Sequence, residues 1–230
     1  MFATVVLIAA ALSIAPASAA GEIGRVRAVK FAAYGTPPAE SRHTLYVWDE
    51  VFTNEIVETS KNSALHLAFL DKSIFRLGAE SRATLDRFVY DPDSTSGELA
   101  LNLKEGIFRI KTGKMKKEGV RVVTPVAVIT VTGTDFVVEV LANLIRLAVL
   151  EGEITVSPTA VGALQTTLAA PARAEIDMGG AVTPGVGPDS DPGLEDDAGF
   201  ERNKGDSGDR DGGDTRGGSE SLGNSLDSVL

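Results

Sequence analysis

TPVAVITVTGTDFVVEV, residues Thr124 to Val140, is the stretch whose reading decides the fold of this chain. Both halves alternate side chains in the way a half-buried strand does. In the first half Ala127, Ile129 and Val131 share a face; in the second, Phe136, Val138 and Val140 do. The first set is odd-numbered and the second even-numbered, so a strict period of two cannot join them. The chain must bend or bulge at Gly133-Thr134. A phosphate-cradling loop would need several glycines and a helix opening behind it, yet here one glycine runs straight into a second strand. A single glycine inside a strand pattern marks a bulge or a tight corner. Gly133 is therefore expected at a corner between two core strands, with Phe136 anchoring the second.

The flanking sequence repeats the theme of short strands. Leu65, Leu67 and Phe69 alternate with Ala64, His66 and Ala68; Leu85, Arg87 and Val89 with Thr84, Asp86, Phe88 and Tyr90; Leu99, Leu101 and Leu103 with Ala100 and Asn102. Turn chemistry separates them at Pro37-Pro38, Lys61-Asn62, Asp71-Lys72-Ser73, Asp91-Pro92-Asp93, Glu105-Gly106, Lys111-Thr112-Gly113, Ala142-Asn143 and Glu151-Gly152. Turn signals at such regular spacing, with no sustained helical period, predict an all-β domain, either a β-sandwich or a short β-solenoid.

The two ends differ from this middle. Residues 3–15 are almost entirely apolar and lead through Pro16 into Ala17-Ser18-Ala19-Ala20, the layout of a secretory signal peptide over residues 1–20. The apolar run is short for a bilayer span, so cleavage and no stable membrane span are expected, with the mature chain periplasmic or secreted. No basic residue precedes that run. The folded domain is expected over 21–158, with a linker or last strand over 159–178. From 179 to 230 the chain is a Gly- and Asp-rich acidic tail, with twelve acidic residues against four basic ones and few apolar side chains. Such a segment buries too little surface to offset its ordering entropy and is expected to be disordered.

Composition narrows the chemistry. The tail holds most of the formal charge of −10, and no basic footprint for nucleic acid exists elsewhere. There is no cysteine, which removes disulfides, thiolate metal sites and cysteine nucleophiles. Of the two histidines, His66 is expected half-exposed on a strand, and His43 lies in a loop without a recognisable partner at a fixed spacing. Asp49, Glu50, Glu55 and Glu58 surround two turns and are expected to be solvated. Arg109, Lys111, Lys114, Lys116, Lys117 and Arg121 read as a Lys-rich hairpin, either a solvated edge or a contact for an anionic surface. Asp206, Asp209, Asp211 and Asp214 offer calcium a weak, irregularly spaced site and no closing glutamate. No cofactor is expected, and no catalytic constellation stands out.

Several stretches together resemble the FecR-like domain, the periplasmic part of ferric-citrate-type sigma-factor regulators. Thr124-Pro125 followed by Val131-Thr132-Gly133-Thr134-Asp135-Phe136-Val137-Val138 resembles its "TP…vrGTxFxV" pattern. VFTNEIVET (51–59), SALHLAFLDKSIFRL (63–77), LNLKEGIFR (101–109) and VLEGEITV (149–156) resemble its other segments in order. The resemblance implies that Pro125, Gly133, Thr134, Phe136 and Gly152 are structural positions of the motif. Two residues depart from it: Lys72 replaces a usual glycine, suggesting a different turn, and Thr132 replaces a usual arginine. The family implies a compact all-β module outside the cytoplasmic membrane that binds partners rather than performing chemistry, with an envelope protein or cell-wall polymer as the expected partner. Members of that kind carry a cytoplasmic anti-sigma segment and a transmembrane helix before this domain. Here the sequence before the domain suggests a stand-alone exported form, with a role beside a separate membrane-bound regulator as the alternative.

Overall fold

A computed structural model describes residues 21–115 and 119–188. The expected signal peptide, Lys116, Lys117 and the Asp-rich tail beyond Pro188 lie outside the described residues. Fifteen strands and no helix make up the described chain. In order they are β1 (Glu22–Lys30), β2 (Ala33–Thr36), β3 (His43–Thr44), β4 (Glu50–Phe52), β5 (Glu55–Thr59), β6 (Ala64–Phe69), β7 (Ile74–Leu77), β8 (Arg82–Asp91), β9 (Ser96–Lys111), β10 (Val120–Val123), β11 (Ala127–Val140), β12 (Leu144–Pro158), β13 (Thr166–Ala169), β14 (Ala172–Asp177) and β15 (Val182–Pro184). All are hydrogen-bonded into one continuous sheet.

Three long strands fold that sheet into two layers. The second halves of β9 and β11 pair with each other, and β7 and the first half of β12 flank them. The first halves of β9 and β11 instead sandwich β10, with β8 and the second half of β12 beyond. Each long strand therefore belongs to both layers. One layer runs β4-β1-β6-β7-β9-β11-β12-β14-β15, the other β3-β2-β5-β8-β9-β10-β11-β12-β13. A single core lies between them. The Phe69 and Phe88 rings, one from each layer, stack 5.7 Å apart, and Phe75 stacks on both Phe69 and Phe108.

The phase change read at Gly133 is the corner of β11. Ala127, Ile129 and Val131 point into the core on one side of it, and Phe136, Val138 and Val140 on the other. The pairing with β12 shifts between Thr132 and Asp135 and again at Phe136, the signature of a bulge. Gly133 has φ 66°, a left-handed value that suits a residue without Cβ.

The same device occurs twice more, where turns were expected. In β9 the buried set passes from Leu99, Leu101 and Leu103 to Phe108 and Ile110 across Gly106, at φ 103°. In β12 it passes from Ile145, Leu147 and Val149 to Ile154 and Val156 across Gly152, at φ 78°. Glu105-Gly106 and Glu151-Gly152 thus bend strands rather than separate them. Acidic-Gly pairs suit a turn or a bulge equally well, and the pairing partners decide between the two.

Other expectations need correction. Leu85, Arg87 and Val89 do not share a face, because a register shift between Thr84 and Arg87 turns Phe88 and Tyr90 toward the core and leaves Val89 exposed. The Lys-rich segment is not a hairpin, since β9 and β10, which flank it in sequence, are parallel neighbours. The sheet also continues past Pro158: β13 and β14 add to β12, and β15 to β14. The span expected as a linker or last strand, 159–178, holds two of these strands, and the third lies inside the span expected as tail. Ala174 and Ile176 bury fully in the core, which is why β14 adds to the sheet despite its alanine-rich surroundings.

Candidate functional site

Alternation in the first layer sends one set of side chains outward from five neighbouring strands. Arg76 on β7 lies opposite Arg109 on β9, Arg109 opposite Val137 on β11, Val137 opposite Ala148 on β12, and Ala148 opposite Arg173 on β14. These positions form one row across the outer face. A neighbouring row places Ile74 opposite Lys111 and Lys111 opposite Asp135.

Between the rows lies a groove of about 260 Å³ lined by Ile74, Arg76, Arg109, Lys111 and Asp135. Asp135 is 3% exposed and grips Arg109 in a two-point ion pair, with Nε to Oδ1 and Nη2 to Oδ2 both 2.9 Å. This geometry fixes the plane of the guanidinium. Lys111 Nζ adds a longer contact, 3.6 Å from Asp135 Oδ2. Beside the groove, Ile107, Val137 and Ala148 form a small buried apolar cluster on the outer face. Arg146 closes its far side through Glu175 at 3.0 Å and Glu139 at 3.5 Å. An apolar floor with guanidinium and ammonium groups at its rim suits an acidic or carboxylate-bearing partner.

Four of the motif residues, Gly133, Thr134, Phe136 and Gly152, lie at or beside the β11 and β12 corners. Thr134 follows the β11 corner, and its N–H donates to Thr112 Oγ1 at 2.8 Å; Thr112 N–H and Oγ1–H donate back to the Thr134 carbonyl. Gly152 packs on the Gly133 carbonyl and the Thr134 methyl, so the β11 and β12 corners nest together. Phe136 is fully buried one position before the groove face resumes at Val137. Burial of such a ring stabilises by roughly 1.5–3 kcal/mol. Pro125 is exposed in the turn between β10 and β11, which Thr124 Oγ1 closes by donating to the Ala127 carbonyl at 2.8 Å and accepting its N–H at 3.0 Å.

In the turn at Asp71-Lys72-Ser73, Lys72 has φ 72°, a left-handed value that glycine adopts freely and a lysine rarely does. Buried Asp71 compensates for the strained neighbour by accepting the Ser73 N–H at 2.9 Å and the Ser73 hydroxyl at 2.6 Å. Ser73 Oγ in turn accepts the Gly113 N–H at 2.9 Å, tying the turn to the chain that leaves the groove.

Two titratable groups are placed differently from expectation. His66 is buried at 6%, not half-exposed, because its row is covered from both neighbouring strands. Glu55 is fully buried rather than solvated, because β2 pairs with β5 and brings Gly35 beside it. Its Oε1 fills the notch that the absent side chain of Gly35 leaves, with the ring of His43 at the same notch. Oε2 accepts the Phe52 N–H at 2.9 Å, while Oε1 has no hydrogen-bond partner among the described residues. Burial pushes the Glu55 carboxyl above the ordinary glutamate range; the Phe52 N–H and the nearby His43 oppose this, while Glu40 and Asp49 add to it.

A pH dependence follows from that shift. The folded chain holds the Glu55 proton to higher pH than the unfolded chain does. Stability therefore rises as pH falls through the raised folded value and levels off below the ordinary 4.5, where both states are protonated. Glu55→Gln is expected to raise stability at pH 7 by about 1 kcal/mol and to remove this slope. Denaturant unfolding at several pH values reads both effects, and an unchanged slope in the variant would assign it to another group.

Among the described residues no group of three or more His, Asp or Glu is placed to hold a metal. Of the remaining carboxylates near the turns, Glu50 pairs with Arg25 and Glu58 with Arg42 and Arg82, while Asp49 accepts the Tyr46 N–H. A further exposed feature is Trp48, 61% exposed with Arg27 over its ring at 4.6 Å. No alternation pattern marked it, because it sits on a short strap whose N–H donates to the Val26 carbonyl of β1.

Fold and face together define an all-β module with an amphipathic groove on the outer sheet. The family model described as FecR protein matches residues 55–155. The match covers β5 to most of β12, so it contains every residue lining the groove. Two crystal structures of a candidate anti-sigma factor from Parabacteroides distasonis are similar at 18% and 17% identity, each with a TM-score of 0.45. Each covers 60% of this chain, and the chain spans 60% of the length of that protein. No curated protein matches the chain.

Proposed function

We propose that this chain is an exported, non-catalytic binding module of the bacterial cell envelope that engages a protein or cell-wall polymer through the outer face of its first layer. The observation that carries the reading is the groove of Ile74, Arg76, Arg109, Lys111 and Asp135, which lies wholly inside the FecR domain. Its guanidinium and ammonium groups meet acidic groups of a partner, and its apolar floor takes the partner's hydrocarbon. The N-terminal apolar run, with its small-residue cleavage pattern, supports periplasmic or secreted placement.

A photo-crosslinking residue at Arg76, introduced in the bacterium that makes the protein, tests the site. The expected result is a discrete adduct from the envelope fraction, and no other protein captured by the same probe at exposed Val89 in the other layer. Equal labelling at both positions, or a chain confined to the cytosol, would overturn the reading.

The FecR domain itself favours a second reading, in which the module works in envelope signalling beside a separate membrane-bound sigma-factor regulator. In that case the adduct contains the regulator, and deleting this chain changes the output of the cognate sigma factor.

A further inference from the structure

We infer that the open edge of β8 from Arg87 to Asp91 is a pairing surface for a second copy of this chain, joined antiparallel about a two-fold axis at Val89. The inference is independent of the groove, which lies on the outer face of the other layer and is lined by none of these residues.

β8 runs past the end of its neighbour. β5 pairs with it only from Arg82 to Leu85, while β9 continues alongside it to Asp91. Among the described residues no strand pairs with the other edge of residues 87–91. Phe88 and Tyr90 supply the unpaired backbone groups. Leu99 turns its N–H away from β8, donating to the Gly119 carbonyl at 2.6 Å. Opposite residues in an antiparallel ladder either both face each other or both face away. Phe88, opposite Leu99, therefore turns its N–H and carbonyl to the open side, and Tyr90, opposite Gly97, does the same. Such a row of donors and acceptors is a template for another strand.

The side chains along this edge are complementary to themselves. Arg87, Val89 and Asp91 share the outer face, with Val89 53% exposed, while Phe88 and Tyr90 pack partly buried against the core. When Phe88 exchanges hydrogen bonds with Tyr90 of the second copy, and Tyr90 with its Phe88, the two Val89 side chains meet on the axis. Arg87 then falls opposite Asp91 of the second copy, once on each side of that axis. These are non-hydrogen-bonded pairs, in which the side chains come closest and Cα atoms lie about 4.5 Å apart. The outer face gains an apolar contact between two ion pairs, and the inner face gains two aromatic pairs. Arg87 uses only Nε in its exposed pair with Glu98, at 3.1 Å, and a guanidinium carries about five donors. Asp91 accepts the Asp93 N–H on one oxygen and the Ser94 hydroxyl on the other, and a carboxylate has about four acceptor sites.

The register is selective. The open groups stay face to face only if the strands slide in steps of two residues. One such step sets Pro92, which has no N–H, opposite Phe88. The opposite step sets Arg87 against Val89 and leaves the charges unmatched. The match of this edge with itself, in charge and in backbone phase, picks a second copy as its occupant.

Sedimentation of the exported chain across a micromolar concentration series is expected to show a monomer–dimer equilibrium. The Phe88 and Tyr90 amides should exchange with solvent several-fold more slowly at high concentration, while the Val89 amide, already bonded to β9, should change little. Arg87→Glu sets two acids opposite each other, and Asp91→Lys sets two bases, so each variant alone should dimerise about tenfold more weakly or worse. An equal mixture of the two should recover the parent affinity to within about threefold, because the mixed dimer again pairs opposite charges at both sites. That recovery also shows that both variants fold. A chain that stays monomeric, a dimer indifferent to both substitutions, or a mixture no tighter than the single variants would overturn the inference. Protection of Phe88 and Tyr90 that requires another envelope protein would make the edge a site for a foreign strand and equally overturn it. In the crosslinking experiment above, a second copy captured at Val89 has twice the mass of the chain, so the outcome at this edge is read separately from that at Arg76.

Discussion

Gly152→Ala is expected to destabilise the domain by about 3 kcal/mol, the sum of a left-handed residue gaining a Cβ and a collision in a packed corner. At φ 78° the new methyl would run into the Gly133 carbonyl, and it would stand 3.0 Å from the Thr134 methyl. Neither neighbour can yield, because Thr134 is locked to Thr112 by three hydrogen bonds. The melting temperature should fall by about 10 °C. Gly133 is the internal control. Its φ is 66°, but nothing lies within 4 Å of an added Cβ. Gly133→Ala should therefore cost about 1 kcal/mol, from conformation alone, and Gly133→Val more, because a branched side chain tolerates that region poorly. Thermal unfolding of the variants side by side decides the matter. Equal losses at the two glycines would mean that the corners do not nest.

Asp135→Ala is expected to cost about 3 kcal/mol by leaving the Arg109 guanidinium in a nearly buried position without its carboxylate. Arg109 and Asp135 side chains are 11% and 5% exposed, so water cannot replace the lost partner fully. Replacing both residues together, with Arg109→Met and Asp135→Leu, should recover most of the loss, because a buried ion pair and an apolar pair of similar volume are often close in stability. Chemical denaturation of the single and double variants gives the coupling directly. The double variant separates stability from function, since it restores the fold while removing charge from the groove. A single variant as stable as the parent would show that the pair is solvated.

The architecture was largely legible because side-chain direction in a strand is a local property. Alternation marks Leu65, Leu67, Phe69, Leu99, Leu101, Leu103, Phe136, Val138 and Val140 as inward without knowledge of any partner, and all nine are buried. The break at Gly133 was legible for the same reason, since two apolar sets out of phase require an extra residue between them. Gly106 and Gly152 carry identical breaks, but each follows a glutamate in a pair that also suits a hairpin turn. Whether the chain reverses or merely bends there depends on which strand it meets next.

The groove was not legible. Its five residues come from β7, β9 and β11, and its arginines face each other only because of the register between strands remote in sequence. Glu55 illustrates the same limit: a charged residue beside a turn is ordinarily solvated, and only the pairing of β2 with β5 places it in the notch at Gly35. The sequence by itself determined the strand class, the inward faces of strands without a register shift, and the corner at Gly133. Each follows from backbone geometry within a few residues. Tertiary structure alone decided the folding of one sheet into two layers, the parallel neighbours β9 and β10, and the row of arginines across the outer face. These depend on register between distant segments, where sliding a strand by one residue exchanges its buried and exposed faces.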